Sequence, residues 1–158
     1  MLISNCNNYN DSYQWYKGNL HTHTFWSDGD APPEVTVDWY KTNGYDFLAL
    51  SDHNILSTVE KWIKVHDTDP GGWPPTMTKE KLKDIQNRFG LEWINTRIIN
   101  DTLEMQLTTL DKLKMKFEID NDFLLIQSEE ISDVYEKTPI HINATNISEF
   151  IPPQGGNS

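Results

Sequence analysis

Residues 44–54, GYDFLALSDHN, hold the plainest strand signal in the chain. Phe47 to Leu50 form a near-continuous apolar run, which suits a strand of a parallel sheet covered on both faces. The polar residues Ser51, Asp52, His53 and Asn54 follow at once. Immediately upstream, APPEVTVDWYKTNG (31–44) carries start and stop signals for one helix. Pro32 and Pro33 suit a first turn with Glu34, and Gly44 suits the C-cap. Further back, WYKGNLH (15–21) predicts a short strand whose apolar residues, Trp15 and Leu20, deliver His21 at its end. Strand, helix, strand is a βαβ unit.

Downstream the pattern is less regular. VEKWIKVHD (59–67) and TKEKLKDIQNRFG (78–90) predict helices, the second closed by Gly90, with DPGGWPP (69–75) as a loop. TTLDKLKMKFE (108–118) predicts another helix, capped by Thr108 or Thr109. DFLLIQSEEIS (122–132) is a second apolar strand that runs into carboxylates, with its core at 123–126. PIHINATNI (139–147) is a third β-like segment and carries His141. Residues 1–13 read as an Asn-rich, disordered leader, and 14–158 as the folded part.

Composition narrows the function classes. The chain has 158 residues with 37% hydrophobic and 23% charged residues, enough for a sizeable core. Its net charge of −11 argues against nucleic acid or an anionic membrane as partner and favours cations. There is no apolar stretch of membrane-spanning length and no signal-peptide pattern, so the cytoplasm is the default expectation. The only cysteine, Cys6, lies in the leader. Neither a G-x-S-x-G elbow nor a phosphate-binding Gly-rich loop is present, so no covalent nucleophile is expected.

The chemistry-bearing residues stand at strand ends. Open α/β sheets and barrels bind ligands at the carboxyl edge of their strands. Ser51–Asn54 follow one strand there, and Ser128, Glu129 and Glu130 follow another. In HTHTFWSD (21–28), His21 and His23 are two apart, so in an extended segment both imidazoles face one way and Thr22 the other. Asp28 follows a turn signal, SDGD, that folds it back toward the pair. Imidazole with carboxylate suits Zn, Mn or Fe better than Ca. Singly, each of these residues has an ordinary reading, as a surface pair, a turn former or a solvated acid. Together, four of five histidines lie at β-like segments, and only His66 reads as surface.

HTHTFWSDG (21–29), GYDFLALSDHN (44–54), FLLIQSEEIS (123–132) and HINATN (141–146) resemble the successive motifs of the PHP family of polymerase and histidinol phosphatase metallohydrolases, in its free-standing phosphoesterase-like branch. The resemblance runs from about Lys17 to the end. It implies an α/β fold, an incomplete distorted (β/α)7 TIM-like barrel, with up to three divalent ions (Zn, Mn or Fe) at its carboxyl edge. It implies His21 and His23 as ligands of one metal, Glu130 as a bridge to a second held by His141, and Asp28 and His53 as ligands of a third. Ser128 stands where the family usually has glycine, which leaves Glu129 as the alternative to Glu130. The family's later histidine and closing Asp-x-His pair are absent, so the chain resembles a PHP domain truncated at its C-terminus. The implied activity is metal-dependent hydrolysis of a small-molecule phosphoester. The alternatives are hydrolysis of a carbamate or other non-phosphate ester, and a non-catalytic metal-binding fragment. Within that picture Asp52 is placed to orient a ligand imidazole, and Asn54 to meet substrate at the rim.

Overall fold

The computed structural model describes residues 13–119 and 122–155. Apart from Tyr13, the leader, with Cys6, lies outside the described residues. The βαβ unit is present: β1 (Gly18–Asn19), α1 (Pro33–Thr42) and β2 (Phe47–Leu50), with β1 and β2 parallel. Pro33 opens α1, whose missing N–H would be unpaired there in any case. Gly44, at φ +70°, ends it in a Schellman arrangement: Tyr45 N–H donates to Tyr40 O and Gly44 N–H to Lys41 O. β1 is shorter than expected, and Trp15 is 92% exposed rather than packed.

The middle of the chain departs from expectation. The helix predicted over 59–67 is absent, and β3 (Trp62–Lys64) stands there, paired antiparallel with β5 (Thr102–Gln106). Ile63 and Val65 turn to the core at a period of two, and Val65 N–H donates to Leu103 O, so pairing overrides helical propensity. β4 (Thr96–Ile99) joins β5 through Asn100 and Asp101, whose φ values of 48° and 58° suit a two-residue type I′ hairpin turn. α2 (Lys79–Phe89) forms as expected, with the Thr78 hydroxyl accepting from Lys81 N–H, and α3 (Leu110–Phe117) follows Thr109.

β6 (Leu124–Tyr135) is much longer than the sequence suggested and carries both glutamates inside the strand. It pairs parallel with β2 and antiparallel with β7 (Thr138–Thr145), giving a curled sheet in the order β1-β2-β6-β7. The expected incomplete (β/α)7 TIM-like barrel is therefore not the fold. Among the described residues, three helices accompany seven strands in two sheets. A barrel needs a crossover helix between successive parallel strands. Here only Glu136 and Lys137 separate β6 from β7, which permits nothing but a hairpin, and residues 62–106 build a separate antiparallel sheet.

Two cores result. Val37, Leu48, Leu50, Leu113, Phe117 and Leu125 pack α1 and α3 on one face of the curled sheet. Phe25, Trp26, Leu82, Ile85, Met105 and Leu107 form the second, and Phe89 packs against both. The opposite, concave face carries Phe47 and Leu124, and Leu124 is 53% exposed there.

Candidate metal centre

The concave face is set by the period of β6. Side chains alternate along a strand, so Glu130 and Ser132 share one face and Glu129 takes the other. Glu129 is fully buried on the helix side, where it accepts from Ile151 N–H at 2.8 Å. Strand register thus resolves the choice between the two acids: Glu130 faces the histidines. Pairing continues past the end of β2, with Glu130 N–H donating to Asp52 O (3.1 Å) and Asn54 N–H to Glu130 O (3.0 Å). This ladder carries His53 alongside Glu130.

The HTH segment is held in the same way. Ser51 N–H donates to Thr22 O (2.9 Å) and Thr22 N–H to the Ser51 hydroxyl (3.0 Å). Thr22 is buried, while His21 and His23 project together with their Nε2 atoms 3.0 Å apart. The following turn is pinned from below. Asp52, 2% exposed, accepts from Thr24 N–H and Ser27 N–H and from both of their hydroxyls at 2.7–3.1 Å. Burial raises the pKa of Asp52, against the downward pull of these donors. Gly29 closes the turn: its N–H donates to Thr24 O, and a Cβ there would lie 2.4 Å from the backbone of His23 and Thr24. Trp26, 1% exposed, anchors the loop by donating its indole N–H to Thr108 O.

The six predicted ligands converge. Glu130 Oε2 lies 2.8 Å from His23 Nε2, 3.1 Å from His53 Nδ1 and 3.3 Å from His21 Nε2, and Oε1 lies 3.4 Å from His141 Nδ1. Asp28 Oδ1 lies 2.9 Å from His23 Nδ1 and 3.5 Å from His53 Nε2. Burial raises the Asp28 pKa, but the hydrogen bond with His23 and the charges of His53 and His23 outweigh it and hold the carboxyl below its ordinary value. Among the described residues, three groups can hold a metal ion: His21–His23–Glu130, His23–Asp28–His53 and His53–Glu130–His141, each with ligand atoms within 4.8 Å of one another.

The donor set fits such an ion on one specific observation. Glu130 Oε2 is buried and makes no hydrogen bond, although three imidazole nitrogens surround it. A buried carboxylate oxygen left without a donor costs roughly 1–3 kcal/mol or more, and a cation among the nitrogens removes that cost. With Asp28 accepting from His23 Nδ1, a neutral imidazole would turn its Nε2 lone pair toward Glu130, as a metal ligand must.

The two remaining predicted residues do other work. The hydrogen bonds of Asp52 go to the 24–27 turn rather than to an imidazole. Asn54 spends its side-chain amide on the backbone of Ser132, accepting from N–H (2.8 Å) and donating to O (2.9 Å), and so does not reach outward to a substrate. Sequence reasoning missed Ser132, whose hydroxyl sits 2.5 Å from His53 Nδ1 and 3.0 Å from His141 Nδ1. Its signal was its place two residues beyond Glu130 on a strand. His66 lies apart, bridged to Thr78. Among the described residues, no helix is long and apolar enough to cross a membrane. No protein-family model matches the chain, and no curated protein matches it.

Proposed function

We propose that the chain is a metal-dependent hydrolase of small-molecule phosphoesters whose divalent cations would be held by Glu130 together with the histidines around it. The observation that carries this reading is the buried Glu130 oxygen, ringed by imidazole nitrogens at 2.8–3.3 Å with no hydrogen bond of its own. His21 and His23 would hold one ion with Glu130, and His53 and His141 the other. His23 and His53 each belong to two of the three groups through opposite ring nitrogens. A neutral imidazole has one lone pair, so two ions can be held without a bridging imidazolate. Asp28 then orients His23 and His53 from behind. Mixed nitrogen and oxygen donors favour Zn, Mn or Fe.

Bound divalent ions supply a water activated near neutral pH and neutralise charge on a phosphoryl group. The protein residues supply the setting. The side chains of His21 and His141 are 49% and 46% exposed, so the centre is open to a ligand on that side. Glu130 is 5% exposed, which keeps its charge from being screened by solvent. The same six positions are those to which the PHP resemblance assigns metal ligands.

The test is to load the full chain with Mn²⁺ or Zn²⁺, measure bound metal after dialysis, and assay p-nitrophenyl phosphate beside an aryl acetate and an aryl carbamate. Metal uptake with phosphate release, both lost in Glu130→Gln, is the expected result. Turnover of the ester or carbamate alone would overturn the phosphoester assignment. Metal uptake without any turnover would leave a binding domain and overturn the enzyme assignment.

A further inference from the structure

A cavity of about 600 Å³ opens at the histidine cluster, with His21, His23 and Asp28 in its lining. Its volume lies within the range of small-molecule sites. Its lining is also aromatic: Trp39 and Tyr40 come from α1, and Trp73 from the 69–75 loop. Trp39 and Trp73 are 53% and 67% exposed, leaving ring surface free to cover a ligand. The α1 side of this wall is fixed. Tyr40 accepts a hydrogen bond from Asn19 Nδ2 at 2.6 Å, and its ring stands edge-on to Trp39 (5.1 Å) and Tyr45 (4.8 Å).

Charge decides what the cavity accepts. Its lining includes Asp28 and Asp30 and, among the described residues, neither lysine nor arginine. A second anionic group on a substrate would meet two carboxylates and find no cation away from the cluster. Aromatic faces, in contrast, favour a flat apolar ring by stacking as well as by area.

Resting on the phosphoester reading above, we propose that the site takes phosphomonoesters of uncharged aromatic alcohols, with the ring held by Trp39, Tyr40 and Trp73 and the phosphoryl group at the histidines. The bond broken is the ester P–O bond. Water supplies the oxygen to phosphorus, and the aryl alcohol leaves with a proton.

Binding to the Mn²⁺-loaded full chain tests this without turnover, using phenylphosphonate, butylphosphonate, 4-carboxyphenylphosphonate and inorganic phosphate, followed by calorimetry. Phenylphosphonate should bind roughly tenfold tighter than butylphosphonate, and the added carboxylate should erase that advantage. Trp39→Leu and Trp73→Leu should each shrink the phenyl-to-butyl ratio, whereas Trp39→Phe should keep most of it. Equal binding of phenyl and butyl compounds, or an unchanged ratio in both leucine variants, overturns the aromatic subsite and leaves the phosphoester reading standing. If inorganic phosphate and every phosphonate fail to bind, the phosphoester reading itself falls, and the subsite with it.

Discussion

His23 Nε2 lies 2.8 Å from Glu130 Oε2, joining a residue on the loop after β1 to one in the middle of β6. The contact spans β2, and the other ring nitrogen of His23 reaches Asp28 at 2.9 Å. Glu130→Gln keeps the shape and removes the charge, so bound metal should fall by more than half. Glu129→Gln, on the opposite face of the strand, should leave metal content unchanged. Elemental analysis of the two dialysed variants decides this. Equal retention in both would remove Glu130 from the centre.

Gly29 is the position where a single methyl group should disturb the site. Its Cβ would fall 2.4 Å from the backbone of His23 and Thr24, so the turn must shift. Gly29→Ala should cost roughly 1–3 kcal/mol in urea unfolding and weaken metal binding by displacing Asp28 from His23.

Asp52 acts on the centre through the turn it holds. Asp52→Ala leaves Thr24 and Ser27 backbone N–H groups without their acceptor, at a cost of roughly 2 kcal/mol or more in chemical unfolding. A variant as stable as the parent chain would show that water replaces the carboxylate and that the turn does not depend on it.

Adjacent leucines of β6 should respond differently. Leu125 is 1% exposed and packed with α1 and α3, so Leu125→Ala should destabilise by roughly 2–5 kcal/mol. Leu124 is 53% exposed on the concave face, and Leu124→Ala should change stability by well under half as much.

Glu34 gives stability a pH dependence. It is fully buried at the start of α1, and burial pushes its pKa up to about 7, against smaller downward pulls from its own backbone N–H, Thr108 and Lys112. The folded chain therefore holds a proton that the unfolded chain has lost above its ordinary value of 4.5. Bound protons are then more numerous in the folded state, so this contribution to stability declines as pH rises from about 4.5 to about 7 and levels off above, by about 3 kcal/mol in all. Glu34→Gln should flatten that decline. Tm measured at pH 5 and pH 8 for both proteins checks it, and an identical pH profile would assign the dependence elsewhere.

The sequence by itself determined the locally encoded parts. Proline and glycine placed the ends of α1, Thr78 and Gly90 bounded α2, and apolar runs marked β2 and the start of β6. It also determined the kinds of ligand available, because two histidines at i and i+2 in extended chain must face one way whatever surrounds them. Which strands pair was a tertiary decision. β3 reads as helix until Met105 and Gln106 stand opposite it, and β4, largely exposed, is placed by its pairing with β5, whose Met105 is buried in the core. The barrel failed for the same reason, since the two residues between β6 and β7 bring that strand back antiparallel. Tertiary structure also decided the site: the register of β6 against β2 turned Glu130 rather than Glu129 to the histidines, and a slip of one residue would have reversed them. Backbone preferences are set within a few residues, whereas register and pairing are set by burial between segments far apart in the chain.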